Sequence, residues 1–128
     1  MTQTLSVTVK GATEMVKTFS KSPQIVEDAM KNVLDRIGWF IMGKASGYAP
    51  VKTGALAGSI HTSGVSGRGK NMSVTVGTNI EYAPYQEFGT SRGVRAKLYM
   101  TRATDEAKMV SDQYMKEAGD KIVMDLAK

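Results

Sequence analysis

Apolar and polar residues alternate at the start of the chain. Over residues 5–10, leucine and valine alternate with serine, threonine and lysine. This period of two, in a segment rich in β-branched residues, predicts a half-buried strand, which Gly11 would end. Apolar residues at positions 15, 16 and 19 then predict a short helical turn over residues 13–19.

A first long segment has helical periodicity. Apolar residues recur every three or four positions from Pro23 to about Ser46, which predicts an amphipathic helix roughly 35 Å long. Ser22 is a suitable N-cap before a proline at the first helical position. Gly47 and Pro50 would end the helix. A helix this long is expected to be the central packing element. Trp39 lies off the apolar stripe, at its edge or on a partner surface.

A second long amphipathic helix is predicted close to the C-terminus. Thr101 is a plausible N-cap, and Asp105 and Glu106 follow in the first turns, where the helix dipole favours negative charge. Apolar residues then recur every three or four positions up to Leu126.

The segment between the two helices predicts a hairpin and a short helix. Residues 55–62 have the pattern of a weak strand, residues 64–71 that of a glycine-rich loop, and residues 72–76 that of a second strand. Ala83 and Pro84 suit the beginning of a short helix and Gly89 its end, before a polar, basic loop over residues 91–97. Three aromatic residues would share one face of that helix: Tyr82, Tyr85 and Phe88.

Together these elements predict one α+β domain over residues 1–128. A small antiparallel β-sheet, formed by the N-terminal strand and a long-tipped hairpin, would pack on two long amphipathic helices. The chain has 128 residues, of which 41% are hydrophobic and 23% charged, as expected for a globular domain. We expect no signal peptide, and no apolar run approaches the ~18 residues needed to span a bilayer.

Charge and residue types narrow the possible chemistry. The chain has no cysteine, which excludes disulfides and thiolate catalysis, and its net charge is +5. Basic residues are densest between positions 68 and 102, where they form either a solvated loop surface or a surface for nucleic acid or an acidic protein. The interface candidates there are Arg68, Lys70, Arg92 and Arg95. The nine methionines either fill gaps in the core or form an adaptable interaction surface.

Two features suggest enzyme chemistry and are better explained otherwise. Residues 64–71 approach the spacing of a phosphate-binding P-loop, but Asn71 replaces the hydroxyl and a strand is expected to follow. A flexible hairpin tip is therefore the preferred interpretation. His61 is the single histidine, with no nearby carboxylate to orient it as a catalytic triad requires. We expect no catalytic residue, no cofactor and no metal site.

Two blocks of sequence resemble a phage family. They are APVKTGALAGSI at residues 49–60 and VGTNIEYAPYQEFGT at residues 76–90. Their order and spacing are similar to those of the neck or tail-completion (head–tail joining) proteins of long-tailed double-stranded DNA phages, a family related to the minor tail protein Z of phage lambda. Met100 and Arg102 depart from the leucine and proline that the family often has at the start of the last helix.

The resemblance implies a structural subunit of the connector between capsid and tail. Its expected partners are copies of itself in a ring, of which a hexamer is one form, together with head-closure or adaptor proteins and tail-terminator or tail-tube proteins. DNA would be only cargo in the lumen, and no membrane is involved. The protein would assemble in the host cytoplasm and remain in the virion neck, and the loops at residues 64–71 and 91–97 would order on neighbouring subunits.

The residues of the two motifs are expected to hold the fold more than to contact partners. They are Thr53, Gly54, Tyr82, Tyr85, Glu87, Phe88, Gly89 and Thr90. The main alternative is a small basic nucleic-acid-binding module that uses the four interface candidates and Lys97, and whose binding would be steeply salt-dependent. An enzyme is a third alternative, with no convergent nucleophile and base to support it.

Overall fold

The computed structural model describes residues 5–10, 23–50, 54–68 and 71–126. The elements in chain order are β1 (Leu5–Lys10), α1 (Pro23–Tyr48), α2 (Ala55–Ser59), β2 (His61–Ser66), β3 (Ser73–Thr78), α3 (Ala83–Phe88) and α4 (Tyr99–Leu126). This is an α+β fold, which confirms the predicted class. The helical turn predicted at residues 13–19 lies outside the described residues.

The described strands form an antiparallel sheet with the order β1-β3-β2. The central strand β3 pairs with β1 through contacts such as Val7 with Val76, and with β2 through contacts such as His61 with Gly77. The register of β2 shifts between Thr62 and Val65, where the strand is irregular. The apolar side chains of β3, Val74 and Val76, are fully buried in the core that the sheet shares with the helices.

The two long helices pack on each other and on the sheet. Their buried apolar faces and the buried residues of β3 form one core, as the helical periodicity predicted. At the solvent side of the helix pair, Arg36 Nη1 donates to Glu117 Oε2 at 2.7 Å, and its guanidinium lies over the Tyr114 ring at 4.0 Å. The hydrogen bond from Arg36 lowers the pKa of Glu117. Trp39 is more than half exposed and lies outside the core.

The strand predicted at residues 55–62 is wrong in its first half. Residues 55–59 form α2, and the strand begins at His61 and continues to Ser66. Gly54, with φ of 74°, turns the chain before α2, and Leu56 is buried in the core. Helix-favouring alanine and leucine residues, with this tertiary contact, outweigh the weak strand pattern. Six residues therefore connect β2 to β3, fewer than expected.

No helix among the described residues is long and apolar enough to cross a membrane. The helix α1 instead lies against the sheet at Gly38, where backbone and side chains approach closely. A Cβ on Gly38 would lie 2.9 Å from Thr62 Oγ1 and 2.9 Å from Val74 Cγ2, whereas a Cβ on Gly43 would meet nothing within 4 Å.

These two glycines provide a matched test of the packing between α1 and the sheet. Alanine has a higher helix propensity than glycine by about 1 kcal/mol, so Gly43→Ala should raise the free energy of unfolding by about that amount. Gly38→Ala should lower it by about 1–2 kcal/mol, because the stiff side chains of Thr62 and Val74 must move. Guanidinium denaturation of both variants measures the difference. Equal stabilisation by both substitutions would contradict this packing.

Candidate partner-binding surface

The connection between α3 and α4 is a closed loop that begins at Gly89. This glycine has φ of 77°, and a Cβ there would lie 2.8 Å from Val94 O and 2.9 Å from Ala96 N. Thr90 N donates to Val94 O at 2.9 Å, and Val94 N donates to Thr90 Oγ1 at 3.2 Å. Glycine is therefore required where the chain leaves α3, and the hydrogen bonds between Thr90 and Val94 close the loop.

Glu87 connects this loop to the start of α4. This residue is only 1% exposed. Its two carboxylate oxygens accept hydrogen bonds from Met100 N at 2.7 Å and from Thr101 N at 3.1 Å. The Thr101 hydroxyl also donates to Glu87. Since the first N–H groups of a helix have no partner within the helix, the carboxylate acts as a cap from a distant segment, where the helix dipole also favours negative charge.

The predicted N-cap of the last helix is therefore wrong. The helix begins at Tyr99, two residues before Thr101. Leu98 precedes it with φ of 51°, the only positive φ outside glycine among the described residues. The backbone turns sharply at Leu98, so that the first N–H groups of the helix point at Glu87.

Further hydrogen bonds fix α3 against α4. Lys97 N donates to Gln86 O at 2.8 Å, and Leu98 N donates to Glu87 O at 3.1 Å, so the last carbonyls of α3 are satisfied. The buried Tyr99 hydroxyl donates to Ala83 O at 2.7 Å. Burial, with the nearby charge of Glu87, raises the pKa of Tyr99. The short helix α3 is thus attached at both ends to the start of α4.

With Glu87 turned inward, the aromatic residues of this segment face solvent. Tyr82, Tyr85 and Phe88 are 40%, 57% and 64% exposed, and Val94 and Leu98 of the segment that follows α3 are also exposed. We call these five residues the aromatic patch. The i, i+3, i+6 spacing predicted a shared face for the three rings, and all three lie outside the core. The structure thus gives Glu87 and Gly89 contacts that hold the fold and leaves the three rings largely free.

A groove of about 550 Å³ adjoins the aromatic patch. Its lining includes Leu56 of α2, Tyr82 of the patch, and two cations of the loop, Arg95 and Lys97. Arg92, nearby in the same loop, is exposed as well. The aromatic patch therefore has a basic rim and an adjacent recess, an arrangement suited to an apolar partner with negative charges.

The structure separates the four interface candidates. Arg92 and Arg95 lie in the loop after α3, whereas Arg68 is exposed at the hairpin tip before β3. The hairpin tip precedes β3 and α3 comes after it, so the two lie at opposite ends of this strand. Its six residues span about 17 Å. Lys70 lies outside the described residues, as does Thr53 of the first motif. The candidates thus belong to at least two places on the surface.

The two features that suggested enzyme chemistry lie in or next to the sheet. His61 Nδ1 lies 2.9 Å from Ser59 O. The glycine-rich segment leads into β3, so it lacks the following helix whose N-terminus a P-loop uses. In the part of the chain that the structure describes, no three His, Asp or Glu side chains come together as a metal site would require.

The fold and surface define a small α+β domain with an exposed aromatic patch. The comparison with protein families identifies it more closely. Residues 13–89, more than half of the chain, match the family described as "Bacteriophage HK97-gp10, putative tail-component", and the chain belongs to this family. Neither the curated proteins nor the solved structures that were compared gave a match.

Membership in this family confirms the phage resemblance and gives the chain a structural role in the phage tail, and hence a place in the virion. The match ends at Gly89, so it includes Glu87 and the three rings but not the loop or α4. The hydrogen-bond partners of Glu87 therefore lie in the part of the chain that follows the matched region.

Removing the Glu87 carboxylate should destabilise the protein. In Glu87→Ala, two backbone N–H groups at the start of α4 lose their acceptor, which should lower the free energy of unfolding by about 2–4 kcal/mol. In Glu87→Gln the amide oxygen still accepts one of them, so an intermediate loss is expected.

Glu81→Ala is the matched control, because this carboxylate is exposed. Its free energy of unfolding should stay within about 0.5 kcal/mol of wild type. Chemical denaturation of the three variants gives the order. If Glu87→Ala were as stable as Glu81→Ala, the capping role would be wrong.

Proposed function

We propose that this protein is a non-enzymatic structural subunit of the head–tail connector, acting in tail completion at the virion neck. In this proposal it forms a ring that joins the tail to the filled capsid and lets DNA pass through the lumen. The observation that carries the proposal is the aromatic patch, held outward on a short helix that is fixed from inside by Glu87. The family assignment to phage tail components supports the same role.

The composition of the aromatic patch favours protein contact. Two tyrosines and a phenylalanine with large exposed fractions lie within seven residues of each other. Tyrosine and phenylalanine are enriched at protein interfaces, and contiguous exposed apolar patches commonly mark binding sites. Without a partner, this apolar area would stay exposed to water, whereas a docked partner would cover it.

The attachment of α3 favours binding with little reorganisation. Its ends are tied to α4 through the Glu87 carboxylate, the Tyr99 hydroxyl and the backbone of residues 97 and 98. Because the backbone that bears the rings is already fixed, less conformational entropy is lost when a partner docks. Such preorganisation suits a subunit that must join a large assembly in a defined orientation.

The partners follow from the proposed place in the virion. They are other copies of the chain in the ring, head-closure or adaptor proteins on one side, and tail-terminator or tail-tube proteins on the other, assembled in the host cytoplasm. DNA would pass as cargo. A small basic nucleic-acid-binding module is the alternative, and the exposed cations Arg68, Arg92 and Arg95 would then contact phosphates.

Native mass spectrometry distinguishes these functions. The wild-type protein should form a discrete ring when mixed with the head-closure and tail-terminator proteins of the same phage genome. The double variant Tyr85→Ala with Phe88→Ala should remain outside the ring, because it loses two exposed rings of the aromatic patch while the core is unchanged. Trp39→Ala, which removes an exposed ring outside the patch, is the matched control and should assemble normally.

Two results would contradict the connector role. One is equal assembly of the double variant and the wild type. The other is a wild-type protein that ignores both partners yet binds DNA at physiological salt, with an affinity that falls steeply as salt rises. The second result would favour the nucleic-acid-binding alternative.

A further inference from the structure

We infer that the aromatic patch of one subunit docks on the outer face of α4 of a second copy of this chain. This inference rests on the proposed function and names the contact from which the ring would be built. The second surface, which we call the acidic stripe, consists of Met109, Asp112, Lys116, Asp120 and Val123.

The acidic stripe is one continuous line on α4. Its members are spaced three or four residues apart, so they lie above one another on a helix. All five are exposed, with Met109 80% and Val123 57% exposed, and they face away from the core formed by the opposite side of α4. The stripe therefore has apolar side chains above and below a group of charges, on an element that has no neighbour on that side among the described residues.

Charge supports docking between the two surfaces. The helix α4 has six acidic and four basic residues, a net charge of −2, in a chain whose net charge is +5. Arg95 and Lys97 line the groove beside Tyr82 and Val94 of the aromatic patch, and Arg92 is exposed in the same loop. Asp112 and Asp120, which lie on either side of Lys116 in the acidic stripe, are the counterparts of these cations. Complementary charges at the edge of an apolar contact fix its orientation and exclude wrong partners.

The apolar parts of the two surfaces are also suited to each other. The aromatic patch offers rigid rings on the attached helix α3. The acidic stripe offers Met109, whose flexible thioether side chain adapts to the shape of a partner and makes favourable contacts with aromatic rings. The alternative of methionines as an interaction surface, open from the sequence, is thus favoured at this position.

The positions of the surfaces make the contact head-to-tail. The aromatic patch lies at the start of α4, and the acidic stripe begins ten residues after Tyr99 and ends 24 residues after it. At 1.5 Å per residue, the stripe extends from about 15 to about 36 Å along the helix. A docked pair of subunits therefore still has one free patch, on one subunit, and one free stripe, on the other. Repetition of such a heterologous contact gives a ring when the rotation closes.

A symmetric contact between two aromatic patches is less favourable. It would bring the cations at the rim of one patch against the same cations of the other, and like charges in an interface are repulsive. The acidic stripe avoids this repulsion. The geometry and the charges thus favour one subunit's patch on the next subunit's stripe.

Charge reversal tests this contact directly. One variant combines Arg92→Glu with Arg95→Glu, and the other combines Asp112→Lys with Asp120→Lys. Each alone should require an at least about tenfold higher protein concentration for self-association, because like charges then face each other. An equimolar mixture of the two should recover association, since the reversed patch of one fits the reversed stripe of the other. The mixed ring would alternate and contain an even number of subunits.

Asp28→Lys with Asp35→Lys is the matched control. It makes the same change in net charge as the variant of the acidic stripe, at exposed positions of α1 outside both surfaces, and should associate like the wild type. Circular dichroism and melting temperature establish that every variant is folded. Unchanged association of the single-surface variants, or failure of their mixture to recover, would overturn the proposed contact.

Cysteine cross-linking gives a second test that does not depend on ring closure. The chain has no cysteine, so single cysteines can be introduced without background. On oxidation of concentrated protein or of assembled particles, a mixture of Tyr85→Cys and Met109→Cys should give mixed dimers, while Lys31→Cys mixed with either should not. Absence of mixed dimers, or efficient dimers of Tyr85→Cys alone, would overturn the proposal.

The two proposals fail separately. If the charge-reversed variants still form rings with the head-closure and tail-terminator proteins, the connector function stands and this contact is wrong. If the wild type joins no such ring but the mixed cross-link forms in concentrated protein, the contact stands and the connector function is wrong.

Discussion

The structure depends on the buried carboxylate of Glu87. A carboxylate loses hydration when it is buried, and this loss is tolerated only where hydrogen bonds replace the water. Glu87 accepts two backbone N–H groups and a hydroxyl at the start of α4, the end of a helix at which negative charge is stabilised. The same bonds satisfy the helix end and fix α3 to α4. One side chain thus connects the segment after the sheet to the longest helix of the domain.

This constraint also determines which residues reach the surface. Because Glu87 points inward between Tyr85 and Phe88, the two rings must point outward. A polar side chain occupies the interior where an apolar one is expected, and apolar rings occupy the exterior. The buried carboxylate stabilises the start of α4, and the outward rings form a preorganised aromatic surface. The proposed connector function uses that surface, and the inferred contact with α4 of the next subunit completes it.

The sequence predicted the elements whose causes are local and missed those whose causes are distant. Helical periodicity gave α1 and α4, and alternation gave β1 and β3. The helix α2 was missed because Leu56 is drawn into the core by tertiary contact, which outweighs the local pattern. Glu87 was recognised only as part of a motif, since its partners lie 13 and 14 residues further along the chain and no local pattern connects them. The interface candidates were chosen by charge alone, and charge does not reveal that Arg68 and Arg95 lie apart.

Electron microscopy of phage lysates can show whether the aromatic patch is needed to join heads to tails. A phage that lacks this gene would be complemented with plasmid copies encoding the wild type or the variant with Tyr85→Ala and Phe88→Ala, and joined and unjoined particles would be counted. The wild type should restore joined particles, while the folded variant should leave filled heads and separate tails. Joined particles in wild-type numbers with the variant would contradict this expectation, because the aromatic patch would then have no part in joining heads to tails.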